Sequence, residues 1–328
     1  MTAPDAVDAG QGPPGRRPAR SGSGARVSRR LRLAIALVAA VVVALALDAV
    51  VVVSRVDRLD VDLAAHPDDQ TWVLVGLDSR ADLPAGADVA DFGTTEQVPG
   101  SRADVVVVVH RSAAGTTALS VPRDLLVKTR GQVDRLALTW LQGPATTVEA
   151  LCTLGIPTDH LVAVDLAGFA AVVDAVGGLE VDVPEAVRDQ PAGLELTRTG
   201  HQHVDGATAL ALVRSRHPEH LVGGQWVPAP VDPDGRAGEA GTVLSALVDQ
   251  VHGSLTRPWR LQRIGWAASG AVQVDEGTSM TELAALARTD LGPVQVLPVS
   301  EPVGTTIARL PTAATAEAVQ AAGMSCSR

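Results

Sequence analysis

The chain has 328 residues, of which 46% are apolar, enough to fill a sizeable core and to exclude a wholly disordered protein. Aromatics make up only 2%, with no tyrosine and two phenylalanines, which leaves little from which to build base-stacking platforms and argues against nucleic acid as a partner. The net charge of −10 conceals two opposite parts: residues 1–32 carry seven arginines against Asp5 and Asp8, whereas residues 54–328 carry 20 basic groups against 34 acidic ones.

Residues 1–28 are rich in Pro, Gly, Arg and Ser and cannot bury enough to fold, which predicts a disordered cytoplasmic tail over 1–32. Between 33 and 53 the only charge is Asp48. As a helix rising about 1.5 Å per residue, this run spans roughly 30 Å of hydrocarbon and reads as one transmembrane helix. Arg26, Arg29, Arg30 and Arg32 crowd its N-terminal side, so the positive-inside rule keeps the N-terminus in the cytoplasm and sends the C-terminal part across the cell membrane. Ala44-Leu45-Ala46 also resembles a signal-peptide cleavage site, and either reading exports the domain. An oxidising compartment permits a disulfide, but Cys152 reads as a small core residue and Cys326 sits in a segment, 313–328, that reads as a flexible tail. Neither cysteine has metal-ligand spacing.

After a charged spacer over 54–70, short β-branched runs alternate with helical stretches. Strands are expected at 72–77, 105–110, 117–121, 161–165, 179–183 and 294–297, and helices at 145–154, 166–176, 206–213, 237–251 and 281–288. The alternation predicts an α/β fold, a three-layer α-β-α sandwich with a mixed central sheet, in one domain over 71–312. Val105–Val109 is apolar without alternation, the mark of a strand covered on both faces.

Charged groups cluster where these strands end. Asp78 and Arg80 follow the first strand, Arg102 and Asp104 precede the second, and Arg123 and Asp124 follow the third. The short turn over 111–116 makes the second and third strands an antiparallel hairpin, which brings Asp104 to Arg123. Carboxylates beside several guanidinium forks suit a divalent cation bound to phosphate: the carboxylates hold Mg²⁺ and the guanidiniums hold phosphoryl oxygens, with Asp124 expected beside Arg123 in the substrate site. The bland alternative is a row of strand-end salt bridges on a solvated rim. Further on, Asp205 caps a helix that ends near Pro218, so Arg214 and Arg216 can share one target if the chain leaves the helix between them. Arg236 opens another helix, where free amides favour anions.

In this order the segments resemble the LytR-CpsA-Psr family of bacterial cell-wall phosphotransferases. The matching pieces are Gly-Leu-Asp-Ser-Arg at 76–80, Arg-x-Asp at 102–104, Ser-Val-Pro-Arg-Asp at 120–124 and Asp-His-Leu-Val at 159–162. Val-Asp-Ala-Val-Gly-Gly-Leu-Glu-Val at 173–181, the Asp-Gly to Arg-Ser-Arg run at 205–216 and Asp-Gly-Arg at 234–236 complete them. The resemblance implies transfer of an anionic glycopolymer from a polyprenyl pyrophosphate carrier to peptidoglycan, with Mg²⁺ at the pyrophosphate. It implies that Asp78 and Asp104 hold the metal and that Arg80, Arg102, Arg123, Arg214, Arg216 and Arg236 grip the pyrophosphate. The chain departs from the family pattern in two places. Gly238, Glu239 and Ala240 stand where relatives carry an Arg-Gln pair, and Arg135-Leu136-Ala137 replaces a Lys-x-Asn. Part of the anion site is therefore expected to be missing, and Glu239 adds a like charge near the expected diphosphate, so either the site is rearranged or the activity is low. The departure keeps a second function in play, a non-catalytic polyprenyl-phosphate-binding factor in cell-wall assembly. Transcriptional regulation is contradicted by an acidic domain on the far side of the membrane.

Overall fold

The computed structural model describes residues 29–63, 69–79, 96, 100–229 and 235–326, with the backbone alone at 235 and 236. Residues 1–28, most of the expected disordered tail, lie outside it. Helix α1 (Arg29–Ser54) is long and apolar enough to cross a membrane, with no residue buried. It starts one turn before the apolar run, at Arg29, Arg30 and Arg32, whose long side chains suit a headgroup region.

The rest is an α/β unit built on a seven-stranded mixed sheet. Its strands are β1 (Asp57–Leu59), β2 (Gln70–Leu77), β3 (Ala103–Ser112), β4 (Gly115–Ser120), β7 (His160–Asp165), β14 (Val272–Asp275) and β15 (Gln295–Val296), in the order β1-β14-β7-β2-β3-β4-β15. β2 runs parallel to β7 and antiparallel to β3, and β3–β4 is the expected hairpin. The unbroken apolar run in β3 has the expected consequence. Val106 and Val108 join one core with Leu151, Val319 and Met324, while Val107 and Val109 join another with Trp72 and Leu291. Each such valine contributes about 1.5–3 kcal/mol by burial. On the first face lies α3 (Pro144–Thr153); on the second lie α4 (Leu166–Val176), α5 (Gly206–Arg214) and α6 (Gly235–Ser254), followed by α7 (Pro258–Ser269) and α8 (Met280–Leu286). Between β4 and α3 the chain forms a hairpin, β5 (Leu126–Thr129) with β6 (Gln132–Arg135), and a one-turn helix α2 (Leu136–Thr139).

Three expectations change. Leu179–Val183, here β8, leaves the central sheet and pairs with β11 (Gly200–Val204). Its alternation of Leu179, Val181 and Val183 with Glu180 and Asp182 fits a strand with one wet face. The expected spacer carries β1, paired in parallel with β14, and buries Val56 and Val61; three residues are too few for a period to show. The expected flexible tail holds α9 (Ala313–Ala321), capped by Thr312, with Val319 and Met324 in the main core. Cys326 is bonded to Cys152, with Cα atoms 5.3 Å apart. The Ala- and Thr-rich composition of α9 concealed an apolar contact made by only two large side chains.

Candidate functional site

The central sheet ends at a bulge. Gly76 faces Val105 and Leu77 faces Ala103, so Asp104 is the extra residue of β3 and is turned out of the ladder. The carbonyl of Arg102 accepts the amides of both Asp78 and Asp104, at 2.9 and 3.0 Å, which fixes the two aspartates side by side on neighbouring strands. Asp78 is 7% exposed. Arg102 takes part through this carbonyl, and its guanidinium is not among the groups lining the adjoining cavity.

Arg123, just past β4, pairs with Asp104 through Nη1. Arg216 reaches the same oxygen, Asp104 Oδ2, at 3.1 Å. One carboxylate thus joins a guanidinium from the hairpin to one from the segment after α5. Asp124, expected among the phosphate-binding groups, is turned instead onto Arg123 (3.6 Å) and Arg135 (3.1 Å), so it braces the arginine rather than facing an anion. Arg135 thereby keeps a cation where the family's lysine was expected. The side chains of Arg80 and Arg236 lie outside the described residues.

Arg214 is the last residue of α5, and the chain leaves the helix at Ser215. Arg214 and Arg216 line one cavity together with Asp78 and Asp104. The cause of the turn is Asp189, in β9 (Val187–Asp189), which carries no family motif recognised in the sequence. Its Oδ2 accepts from Ser215 Oγ (2.9 Å), the Arg216 amide (2.6 Å) and the His217 amide (2.7 Å). Burial pushes the Asp189 carboxyl up, but the His217 and Arg216 amides and the Ser215 hydroxyl outweigh it and hold the group below the ordinary carboxylate value. α5 itself is seated by the pair Asp205-Gly206. Asp205 accepts from the Thr208 amide, as its sequence position predicts, and Gly206 lies so close to α4 that a Cβ would come 2.2 Å from the Ala170 carbonyl. Only glycine lets α5 approach α4 this closely.

Behind the charged mouth is a cavity of about 490 Å³. Leu74, Val107 and Val162 of the sheet form its floor, and Phe169 of α4, Leu210 of α5 and Leu247 of α6 form its roof. No local pattern marks this cavity, because these wall residues are ordinary core side chains of six separate elements. A second residue escaped notice for the same reason. Arg309, 4% exposed, is held by backbone bonds to Asp124 and Leu126 and lines a cleft with Asp104, Arg123, Ala237 and Ala240.

Two carboxylates and guanidinium groups thus stand at the mouth of an apolar cavity in an α/β sandwich. The LytR_cpsA_psr family model matches residues 49–289, and the chain belongs to that family. It is 34% identical to the probable cell wall biosynthesis protein LcpB of Corynebacterium glutamicum, over 78% of this chain and 59% of that protein. It is 28% identical to TagV of Bacillus subtilis, a polyisoprenyl-teichoic acid–peptidoglycan teichoic acid transferase, over 60% of this chain and 51% of that one. The chain thus spans little more than half the length of these relatives. Among solved structures, a LytR-Csp2A-Psr enzyme from Actinomyces oris superposes with a TM-score of 0.67 at 36% identity, covering 82% of this chain and 97% of that one. Arg309 and Cys326 fall beyond the residues matched by the family.

Proposed function

We propose that the protein transfers an anionic glycopolymer from a polyprenyl pyrophosphate carrier to peptidoglycan, on the outer side of the cytoplasmic membrane. The observation that carries this reading is the pairing of an apolar cavity with a mouth of carboxylates and guanidiniums, the two halves of a lipid pyrophosphate. The similarity to LcpB, a probable cell wall biosynthesis protein, and to TagV, a teichoic acid transferase, supports it. The arginines flanking the N-terminal side of α1 and the Cys152–Cys326 disulfide support a cytoplasmic N-terminus and an exported domain.

In this reading Arg214, Arg216 and Arg123 bind the diphosphate oxygens, and Asp104 holds two of these guanidiniums at one point before the ligand arrives. An acceptor hydroxyl of peptidoglycan forms a bond to the glycopolymer-linked phosphorus. The bridging P–O bond breaks, and polyprenyl phosphate leaves carrying the displaced oxygen and a proton. The apolar walls keep water from competing with the acceptor. Asp78 and Asp104 fit Mg²⁺: both offer hard carboxylate oxygens from adjacent strands and leave the remaining positions to water and phosphate. Mg²⁺ bound there would neutralise charge on the transferred phosphoryl group.

The test is turnover of a polyprenyl pyrophosphate-linked donor by the full chain, with Mg²⁺ or a chelator. Asp78→Asn and Asp104→Asn should each lower turnover about 100-fold, roughly 2.7 kcal/mol of transition-state stabilisation, while the melting temperature moves little. Full turnover in chelator or in both variants would remove the metal from the reading. The departure at Gly238, Glu239 and Ala240 supports a second reading, a lipid-phosphate binder without transfer. Tight donor binding with no turnover under any condition would select it.

A further inference from the structure

Helix α7 wears its aromatic residues outward. Trp259 (67% exposed), Gln262, Arg263 and Trp266 (37% exposed) recur at three- and four-residue spacing and form one solvent-facing stripe. In a chain with five tryptophans, Trp72 is fully buried, yet two are placed two turns apart on this stripe. Leu255, also exposed, precedes them. From 255 to 266 the chain carries Arg257, Arg260 and Arg263 and no acidic residue, inside a domain where acidic groups outnumber basic ones.

The stripe is tied to the residue at which the chain leaves α1. Arg55 follows Ser54 directly and lays its guanidinium over the Trp266 ring, 4.9 Å from the centroid. Gly270 makes room for it, because a Cβ there would come 2.6 Å from Arg55 Nη2. Arg58 then donates to the carbonyls of Asp275 and Thr278, and β1 pairs with β14, the strand that follows α7. The exit segment is therefore held against α7 and β14 by side chain and backbone together.

We propose that the Trp259–Trp266 face of α7 lies in the lipid–water interface of the membrane that α1 crosses, with Arg257, Arg260 and Arg263 against anionic phospholipid headgroups. The proposal rests on the reading of α1 as a membrane span. If Ser54 ends the span, Arg55 stands among the headgroups, and the ring stacked on it stands there too. Tryptophan and arginine are the side chains that favour this depth, one for its amphipathic ring and the other for its long stem under a charge. Docking also places the cavity beside lipid. Phe169 of α4 and Val272, three residues beyond the end of α7, both line the cavity.

The full chain, reconstituted in phosphatidylcholine vesicles with or without phosphatidylglycerol, is excited at its tryptophans in the presence of lipids brominated near the top of the acyl chain. Emission should be quenched in wild type, and the double variant Trp259→Phe/Trp266→Phe should lose about half or more of the quenchable emission. Arg257→Gln/Arg260→Gln/Arg263→Gln should reduce quenching only in vesicles containing phosphatidylglycerol, and salt should reproduce that loss in wild type. No quenching in wild type, or equal quenching in wild type and the double phenylalanine variant, overturns the docking. Alkaline carbonate separates the two readings. Chain released by carbonate overturns the span and the docking with it, whereas chain retained but unquenched overturns the docking alone.

Discussion

Asp189→Asn tests how the arginine turn is held. In wild type one carboxylate oxygen closes residues 215–217 by three hydrogen bonds of 2.6–2.9 Å. Bonds to a charged group contribute about 1.5–3 kcal/mol each and neutral ones about 0.5–1.5, so the three amount to about 6 kcal/mol in wild type and about 3 in the variant. Ordering three residues costs about 1.5 kcal/mol each, or about 4.5 in all. The turn is then favoured by about 1.5 kcal/mol with aspartate and disfavoured by about as much with asparagine, so the variant holds it closed in roughly a tenth of molecules. Affinity for a pyrophosphate ligand should fall about tenfold, because binding must first close the turn that positions Arg216.

The assay is calorimetric titration of the full chain with inorganic pyrophosphate, at neutral pH and then stepwise downward. The Asp189 carboxyl is held below its ordinary pKa of about 3.9, so its contribution is complete above that value and disappears as pH falls through the lower folded value. The gap between wild type and variant should persist from pH 7 to about pH 4 and close only below it. Equal affinities at pH 7, or a gap that closes between pH 7 and pH 5, would refute Asp189 as the positioning residue.

Two further outcomes follow from the same structure. Cys152→Ser/Cys326→Ser opens a loop spanning 174 residues and should cost about 3–5 kcal/mol of stability, read as a lower melting temperature that matches reduced wild type; an unchanged melt would mean that the core alone seats α9. Replacing Gly238 and Glu239 with Arg, and Ala240 with Gln, should raise transfer at least about tenfold, because Ala240 faces the cleft with Asp104 and Arg123 and a Cβ at 238 meets no atom within 4 Å; a smaller gain would assign the missing charge to another group.

What could be read from the chain and what could not divide along a physical line. The β3–β4 hairpin and the cap at Asp205 depend on neighbours within a few residues, and spacing alone places them. The bulge at Asp104 depends on the register between β2 and β3, which no local pattern specifies, yet it decides where the shared carboxylate points. Asp189 and Arg309 meet the site from segments whose sequence resembles any loop. Only the closed fold shows that each is buried against a motif residue. Such residues are the ones on which a divergent member can compensate. Arg309 lines the same cleft as Ala237 and Ala240 of α6. A segment outside every motif can thus bring a cation to the cleft that Asp104 and Arg123 line. The charge at an anion site is therefore a property of everything that packs there, and counting motif arginines understates it.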